Sequence, residues 1–399
     1  MTTSVASVIT VVETKLREIW VPTPGEPTKA RACTMNLVVV GAPDVIQRYA
    51  TVVDEVTAGI PARAILLGLD PEGETGLDAD VSAVCGIGAD ATCSERITLR
   101  TGGAICGRAA SIVDALRVPE IPTTVVWLGR VHVADPVFVG IAEEATRIVL
   151  DTEYTSLASL LSLARWTRAQ TKLRRESPRA SLVPVPDRGS VPPVGGVVGE
   201  APHVADLAWT RLAPWQEMIA RFFDDPQLTG HADAIRRIEL RQASEHGSRL
   251  GSEVTLLLGW LATRLGWKMA RLGGHLRLAR GDGSPVQLVL TSVPRPASVA
   301  PAALAGIAIE AERDGIVLRG TVDRELASGI DPAAPEADVL VWRMSADGVP
   351  SATEQRVRLS ANKGGRLLER TLHRPARDAA LMESAKFAED IDEEGLVLP

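Results

Sequence analysis

The sequence lacks the excess of positive charge that a nucleic-acid-binding protein carries. Its 399 residues contain 43 lysines and arginines against 50 aspartates and glutamates, which gives a formal net charge of −7 at pH 7. A protein that binds nucleic acid needs a basic face to neutralise the phosphates. We therefore expect no nucleic-acid partner.

Long apolar runs are also missing. A helix that crosses a membrane needs about 20 apolar residues, and the longest candidate, Val254–Leu265, is shorter and contains Arg264. Residues 1–20 have no basic segment ahead of an apolar core, so they predict a helix or strand and not a secretory signal peptide. We expect no membrane partner.

Cysteines are few, and all four lie within the first 106 residues. This usage fits a reducing cytoplasm better than a disulfide framework, and we expect a cytoplasmic protein. Cys85 and Cys93 would face each other if a hairpin turned about Ala89. We interpret them as two small buried thiols, and a redox-sensitive pair is the alternative that this register leaves open.

Histidine patterns typical of metal sites are absent as well. The six histidines never occur at i, i+4 spacing or beside a pair of cysteines. The sequence also contains no G-x-S-x-G nucleophile motif. We therefore expect no catalytic residues, no metal and no cofactor.

What the first half does contain is an alternation of short apolar strands and amphipathic helices. Asn36–Val40 and Thr123–Leu128 are two such strands. The alternation predicts an α/β domain, Rossmann-like and layered, with a largely parallel sheet. Val81–Gly86 and Arg96–Arg100 have no helix between them, which indicates one antiparallel hairpin.

The amino-acid composition of the sequence changes after residue 171. Residues 172–201 are rich in proline, glycine, serine and valine and predict a linker or exposed loop. Beyond them, short strands with helices at both ends predict an α+β domain on an antiparallel sheet, with a last helix over Leu367–Glu389. The expected domains are therefore 1–171 and 202–399.

Two glycine-rich stretches look like nucleotide sites. Gly86–Ala91 (GIGADA) is followed by a strand and not by the helix that a dinucleotide site needs, so a hairpin turn is the better interpretation. In Gly102–Ala109 (GGAICGRA), Arg108 and Ala109 stand where a phosphate loop has lysine and Ser/Thr. We expect the glycines of the Gly102–Arg108 loop to allow close packing, and a cradle for a single phosphate is the alternative.

Basic residues cluster where the first domain gives way to the linker, at Arg165, Arg168, Lys172, Arg174, Arg175 and Arg179. The simplest interpretation is a solvated helix C-terminus, where cations complement the helix dipole. A surface for an acidic partner is the alternative, and the acidic tail Glu389–Glu394 is one candidate for that partner.

Residues 206–223 read DLAWTRLAPWQEMIARFF, an aromatic-rich stretch in a chain with only 4% aromatic residues. Proline inside a helix removes a hydrogen bond. The pattern therefore predicts a short turn capped by Asp206, followed by a helix that starts at Pro214. Residues at helical spacing predict a buried stripe of Leu212, Trp215, Ile219 and Phe222.

Trp209 and Arg211 would lie off that stripe, on the preceding turn. Tryptophan and arginine dominate interface hot spots, so we predict that these two residues contact a partner protein. For Arg211, a role in bracing the two domains is the alternative.

Five segments occur in an order that resembles one known family: Thr34–Val40 (TMNLVVV), Pro61–Leu67 (PARAILL), Val118–Trp127 (VPEIPTTVVW), Asp206–Trp215 (DLAWTRLAPW) and Gly259–Thr263 (GWLAT). The family is that of the glucose-6-phosphate dehydrogenase assembly proteins (OpcA). The stretch Asp206–Trp215 is similar to its D-L-A-W-[ST]-R-[LI]-x-x-W signature, which is the most specific of the five.

The resemblance implies a non-catalytic protein without cofactor that binds glucose-6-phosphate dehydrogenase. Such an activator favours the active oligomer or conformation of the dehydrogenase and raises NADPH production by the oxidative pentose phosphate pathway. The matching segments supply the predicted partner-binding residues, which are Arg63, Trp127, Asp206, Trp209 and Arg211. The competing hypotheses are an enzyme that acts on a sugar phosphate and a ligand sensor, both using the Gly102–Arg108 loop.

Overall fold

The protein is described here by a computed structural model covering residues 5–21, 30–85, 92–176, 201–244, 249–272, 275–296, 299–327, 337–349, 354–359, 364–375 and 377–393. The chain forms two compact units. The first unit contains residues up to Asp206 together with Gly364–Arg377, and the second contains Leu207–Lys363 and the residues from Asp378 onward.

The elements of both units are numbered in chain order. The helices are α1 (Val5–Ile19), α2 (Pro43–Gly59), α3 (Ala109–Leu116), α4 (Pro136–Ala142), α5 (Leu157–Glu176), α6 (Leu207–Arg211), α7 (Ala213–Ala220), α8 (Ser252–Arg264), α9 (Gly364–His373) and α10 (Ala379–Glu393). The strands are β1 (Ala30–Arg31), β2 (Met35–Gly41), β3 (Ala62–Asp70), β4 (Gly76–Cys85), β5 (Thr92–Gly102), β6 (Thr123–Trp127), β7 (Arg147–Leu150), β8 (His203–Asp206), β9 (Ile235–Ala243), β10 (Lys268–Leu272), β11 (His275–Ala279), β12 (Pro285–Val293), β13 (Ala303–Arg313), β14 (Ile316–Ala327), β15 (Ala337–Ala346) and β16 (Gln355–Arg358).

The first unit is built on an eight-stranded sheet in the order β1-β5-β3-β2-β6-β7-β8, with β4 paired to β5. All of its strand pairs are parallel except β4–β5. When the hairpin strand β4 and the short β1 are set aside, the order of the others is the Rossmann order 3-2-1-4-5-6. The predicted α/β class and its single antiparallel hairpin are confirmed.

The central strands of this sheet are buried on both faces. Leu37–Val40 of β2 and the whole of β6 are buried. Helices cover both faces of such a sheet, so its strands are continuous apolar runs and do not alternate with polar residues. This is why the apolar runs of the first half were the clearest strand signals in the sequence.

The β4–β5 hairpin places Cys85 directly opposite Cys93, as the sequence register predicted. The two residues form a disulfide, with a Cα–Cα distance of 4.0 Å. The interpretation as two buried thiols is therefore wrong: the pair is bonded, and only Cys93 is buried, because Cys85 lies at the exposed end of the hairpin. Residues 86–91 (GIGADA), for which a hairpin turn was predicted, lie outside the described residues.

A segment from the C-terminal part of the sequence completes the first unit. We expected one helix over Leu367–Glu389, but the structure has two, α9 in the first unit and α10 in the second. Pro375 lies between them, and proline both lacks an N–H and disfavours helical geometry at the residue before it. The single-helix prediction is therefore wrong.

Charged side chains hold α9 at both of its ends. At its start, Gly365 N–H donates to Glu55 Oε2 at 2.8 Å, and the absence of a side chain at Gly365 lets α9 approach α2 closely. At its end, the Arg147 guanidinium donates to the carbonyls of Thr371, Leu372 and Arg374 at 3.1, 2.7 and 3.0 Å. An anion at the N-terminus and a cation at the C-terminus both complement the helix dipole.

The second unit contains another eight-stranded sheet, in the order β10-β11-β12-β9-β13-β14-β15-β16. Its pairs are antiparallel except β9–β12, which is parallel. The prediction of an antiparallel sheet therefore holds for most of it, and the sheet as a whole is mixed. The α8 helix, which intervenes between β9 and β12 in the sequence, allows these two strands to run in the same direction.

The break within residues 206–223 is as predicted. The chain forms α6 over Leu207–Arg211 and then α7, which begins at Ala213 with Pro214 in its first turn. The predicted stripe is buried, with every member at 1% exposure or less: Leu212, Trp215, Ile219 and Phe222. Phe222 lies against Gly320, where a side chain would collide with its ring, and stacks on Trp342 with the ring centroids 5.4 Å apart.

The transition between the units differs from the expected linker boundaries. α5 continues to Glu176, and β8 pairs with β7 in the first sheet, so residues 203–206 extend the first unit. Residues 177–200, the rest of the expected linker, lie outside the described residues. No helix among those described is long and apolar enough to cross a membrane.

We predict that Arg147→Ala lowers the free energy of unfolding by about 2 kcal/mol, because it removes charge-assisted hydrogen bonds to three helix-terminal carbonyls. Urea denaturation of the full chain measures the change. Arg48→Ala is the matched control, since Arg48 is exposed and pairs only with Asp44 on the same helix among the described residues. Equal effects of the two substitutions would contradict the role given to Arg147.

The Cys85–Cys93 bond is tested by counting thiols in denaturant. We expect two reactive thiols before reduction, from Cys33 and Cys106, and four after it. Cys85→Ser should raise the unreduced count by one, because it frees Cys93. Four thiols in the unreduced wild-type protein would refute the disulfide.

Candidate functional site

Asp206, the first residue of the signature-like segment, is anchored inside the first unit. It ends β8 and is only 1% exposed. Its carboxylate accepts hydrogen bonds from the Thr152 backbone N–H at 3.0 Å and from the Thr152 hydroxyl at 2.7 Å. The side chain therefore ties β8 to the segment that follows β7.

Trp209 lies inside the second unit, on α6, at 2% exposure. Its indole N–H donates to Asp378 Oδ2 at 2.8 Å. The other carboxylate oxygen of Asp378 accepts from the Leu381 N–H at 3.0 Å, in the manner of a helix N-cap for α10. Trp209 thus fixes the start of α10 against α6, and its burial leaves little surface for a partner.

Arg211 is half-buried at the last position of α6. A cation at this position complements the C-terminal end of the helix dipole. Among the predicted contact residues of the signature segment, it keeps the largest accessible fraction, since Asp206 and Trp209 are both buried.

Arg63 is engaged with a buried carboxylate in the first unit. Its Nε donates to Glu95 Oε2 at 2.7 Å, and its Nη1 donates to the Leu116 carbonyl at 2.9 Å. Trp20 donates its indole N–H to the other oxygen of Glu95, also at 2.7 Å. The Glu95 carboxylate is only 3% exposed and requires such partners, so Arg63 stabilises the fold at this point.

Burial raises the pKa of the Cys33 thiol, which lies near Arg63.

Trp127 ends β6 and is 6% exposed. Its indole N–H donates to the Arg130 carbonyl at 3.1 Å, and its ring packs edge-to-face on Phe138 with the centroids 4.9 Å apart. Trp127 is therefore part of the core between β6 and α4.

Two of the predicted contact residues, Arg63 and Trp127, lie at different levels of the first sheet. Arg63 lies in line with Asn36 and Thr123, at the N-terminal edge of the first sheet, whereas Trp127 lies in line with Val40 toward the C-terminal edge. Four residues along a strand separate the two levels by about 13 Å. Asp206 ends an outer strand of the same sheet, and Trp209 and Arg211 belong to the second unit.

The Gly102–Arg108 loop has the geometry of a packed turn. Residues Gly103–Arg108 form a short 3-10 helix. Side chains at Gly102 and Gly103 would collide with Glu74 and Thr75, and Gly103 has a φ of +54° that glycine adopts without strain. These contacts favour the packing interpretation of the glycines, because a phosphate bound at this place would have to displace the neighbouring turn.

The strand order identifies another place where a Rossmann domain binds a dinucleotide, the turn between β2 and α2. There the chain reads Gly41-Ala42-Pro43-Asp44. Pro43 supplies no N–H, and the Asp44 carboxylate adds negative charge to the first turn of α2, where it pairs with Arg48 at 2.9 Å. A pyrophosphate needs free N–H groups and positive potential, so these residues do not fit a dinucleotide.

Other candidates for chemistry give no assembled centre. Within the described residues there is no group of three or more His, Cys, Asp or Glu side chains that could hold a metal ion. Arg165, Arg168 and Lys172 of the basic cluster are exposed on α5, in agreement with a solvated helix end. The side chains of Arg174, Arg175 and Arg179, and residue Glu394 of the acidic tail, lie outside the described residues, so the acidic-partner alternative stays a prediction.

Two family models match the chain in sequence order. Residues 53–165 match the glucose-6-phosphate dehydrogenase subunit N-terminal domain, and residues 202–385 match the C-terminal domain of the same subunit. These ranges contain all five predicted contact residues and most of both compact units.

Similar curated proteins come from cyanobacteria. Proteins named "Putative OxPP cycle protein OpcA" are 26% identical over 220 residues in Synechocystis sp. and 25% identical over 225 residues in Synechococcus elongatus. The alignments cover 54% and 55% of this chain and only 39% and 43% of those proteins, so the match spans about two-fifths of the relatives' length.

Among solved structures, an oxidoreductase from Sinorhizobium meliloti gives a TM-score of 0.35 at 12% identity, covering 92% of both chains. KijD10, a 3-ketoreductase from Actinomadura kijaniata, gives 0.42 at 8% identity, covering 90% of this chain and 97% of that one. These likenesses are too distant to carry an argument about this chain.

We predict that Trp209→Phe lowers the free energy of unfolding by about 1–2 kcal/mol, because it leaves Asp378 Oδ2 without its indole donor. Trp260→Phe is the control: Trp260 is half-buried on α8, and its indole N–H has no acceptor among the residues described. Chemical denaturation compares the two variants. A Trp209→Phe protein as stable as the wild type would show that the Asp378 bond contributes nothing.

Proposed function

We propose a function from one premise: the chain belongs to the glucose-6-phosphate dehydrogenase assembly protein family (OpcA). In this proposal the protein is a non-catalytic partner that binds glucose-6-phosphate dehydrogenase and favours its active oligomer or conformation. It would thereby promote NADPH production by the oxidative pentose phosphate pathway.

The observation that carries the proposal is the match of both halves of the chain to the two domains of one dehydrogenase-associated subunit. The matched ranges follow each other in the same order as the two units of the structure. A binding role for the whole chain therefore has more support than a role for one domain alone.

The β2–α2 turn supports a partner protein over a cofactor-dependent enzyme. Pro43 and Asp44 occupy the place where a dinucleotide-binding domain presents N–H groups to phosphate. A Rossmann strand order with such a turn is better suited to scaffolding than to hydride transfer, and fold alone does not imply an activity.

An activator of this kind works by differential affinity. It shifts the dehydrogenase toward the competent state only if it binds that state more tightly than the incompetent one. Coupling between two binding events is reciprocal. If this chain raises the affinity of the dehydrogenase for a ligand by some factor, that ligand raises the affinity of the dehydrogenase for this chain by the same factor.

Within this proposal the five predicted contact residues take different roles. Asp206, Trp209, Arg63 and Trp127 hold the fold through the hydrogen bonds described above, and they would affect the dehydrogenase indirectly. We propose Arg211 for direct contact. Asp206, Trp209 and Trp127 are buried, and Arg63 is held by Glu95 and the Leu116 carbonyl, whereas Arg211 is half-buried at the end of α6.

We predict that adding this chain to glucose-6-phosphate dehydrogenase from the same organism raises its initial rate at low substrate by about fivefold or more, the range of ordinary allosteric coupling. NADPH absorbance measures the rate, and light scattering after size-exclusion chromatography measures complex formation. Arg211→Ala should weaken the activation and lower the melting temperature of the chain by no more than about 2 °C, since a cation at a helix C-terminus contributes only a fraction of a kcal/mol.

The chain alone, with glucose 6-phosphate and NADP⁺, is the control and should give no rate. Turnover of a sugar phosphate by the chain alone would favour the enzyme hypothesis at the Gly102–Arg108 loop. No change in rate together with no co-elution would refute the activator. If Arg211→Ala lowers the melting temperature by more than about 2 °C and leaves activation intact, Arg211 is structural.

A further inference from the structure

The sheet of the second unit has two different faces. Val322 of β14 and Trp342 of β15 are paired and point to one face, where both are buried and Phe222 stacks on Trp342. On the same face, Arg324 lies under the Trp215 ring of α7. The residues between them in sequence point to the other face, which we call the open face because its ion-paired side chains keep 24–57% of their surface exposed.

The open face is charged and electrically balanced. Ion pairs join six arginines to six carboxylates across β9, β13, β14, β15 and the start of β16. These pairs sum to zero in a chain whose net charge is −7. Every cation among them is an arginine, the basic residue that protein interfaces favour, whereas lysine is depleted there. Such a surface suits a protein partner better than a polyanion.

The order of the charges along β14 is self-complementary. Arg319, Thr321, Asp323 and Glu325 all point to the open face, because residues two apart share a face. A two-fold axis that crosses β14 at right angles between Thr321 and Asp323 exchanges the positions of Arg319 and Glu325. A second copy placed by this axis therefore sets Arg319 opposite Glu325 of the partner subunit, twice in one dimer.

The same axis brings opposite charges together at β16. The register pairs Asp323 with Val341 and Val341 with Arg356, so Arg356 lies on the Asp323 side of the axis. Glu354, two residues earlier, contacts Arg343, which is paired with Thr321 on the other side. The axis therefore sets Arg356 opposite Glu354 of the partner subunit. An axis running along β14 would instead place each charge of β14 opposite its own copy.

The next strands follow the same rule with smaller side chains. β13 presents Gly306 and Ala308 to the open face, one on each side of the axis, and neither obstructs the approach of a second sheet. On β9 their partners are Arg241 and Glu239, again of opposite charge, with side chains 26% exposed. Two sheets can therefore meet face to face with their strands nearly aligned.

Arg319 has donors available for such a contact. It is the most exposed of the ion-paired arginines, at 57%, and its Nε lies 3.6 Å from Glu310 Oε2. No hydrogen-bond acceptor for its guanidinium is present among the described residues. Because a guanidinium has five N–H donors in a planar fork, Arg319 can bond a carboxylate that approaches from outside.

The size of the patch sets the expected strength of the contact. Five strands about 4.8 Å apart and four rows of side chains about 6.7 Å apart cover roughly 600 Å². Each partner buries about 800 Å² in a standard interface. We therefore expect a dimer that dissociates on dilution and weakens in salt, which screens exposed charges.

We propose that the open face is the contact between two copies of this chain, related by a two-fold axis perpendicular to β14. Arg319 pairs with Glu325 of the partner subunit, and Arg356 pairs with Glu354 of the partner subunit. The inference does not depend on the dehydrogenase and is tested with the chain alone.

The first test is sedimentation velocity of the full chain from about 1 to about 100 µM at low salt. We expect a reversible monomer–dimer equilibrium, weakened at least tenfold in about 1 M NaCl. A chain that stays monomeric at the highest concentration would overturn the proposal. If that monomer co-eluted with the dehydrogenase and Arg319→Glu abolished co-elution, the open face would belong to the dehydrogenase and not to a second copy.

Charge reversal tests the axis itself. Arg319→Glu and Glu325→Arg should each weaken the dimer at least tenfold, because each sets like charges opposite one another. An equal mixture of the two variants should dimerise again, since each reversed charge then meets its complement on the other chain. Arg48→Glu, an exposed site in the first unit, is the matched control and should leave dimerisation unchanged.

Circular dichroism checks that each variant is folded. A wild-type dimer that survives Arg319→Glu would show that another surface forms it. Two single variants that are monomeric alone and remain monomeric when mixed would refute the proposed two-fold arrangement.

Discussion

The guanidinium of Arg147 joins parts of the sequence more than 200 residues apart, and the first unit depends on that connection. Arg147 starts β7, while its three carbonyl acceptors terminate α9. Burial lowers the pKa of Arg147, but an arginine keeps its charge at any pH that the fold experiences. With Glu55 at the other end of α9, charge complements both ends of the helix dipole.

This connection constrains how the protein can form. A first unit that includes residues 364–377 cannot be completed from the N-terminal half of the chain alone. Closing a loop of this length costs entropy before its contacts are gained, and such long-range contacts slow folding. A fragment cut at residue 171 would lack both α9 and the outer strand β8, and would expose the faces that they cover.

Much of the fold could be predicted because its signals are local. Three features depend only on residues that are close in sequence: the apolar runs of β2 and β6, the hairpin that pairs Cys85 with Cys93, and the helix break at Pro214. The break between α9 and α10 also had a local signal, Pro375, which the helical pattern on either side concealed. The parallel β9–β12 pair had none, since strand order depends on how the chain returns after α8.

The candidate site was harder to predict because burial is decided by distant residues. Helical spacing predicted that Trp209 lies off the buried stripe of α7. The residues of that stripe are buried, as expected. The indole N–H of Trp209 donates to Asp378 at the start of α10, 169 residues away in sequence. In the same way, Arg63 is occupied by Glu95 from another strand. A single sequence contains no signal for such pairings. Partner contact was therefore predicted for Trp209 and Arg63, whose side chains make hydrogen bonds inside the fold.

The signature-like segment therefore identifies a fold more than it identifies a contact surface. Its Asp206 bonds within the first unit and its Trp209 within the second, on either side of the point where the chain passes from one unit to the other. A tryptophan side chain buries about 200 Å². Because Trp209 is only 2% exposed, nearly all of its surface already packs inside the protein. Trp209 could meet a partner only by giving up the Asp378 bond that starts α10. Of the three contact residues predicted in this segment, Arg211 is the one that is not buried.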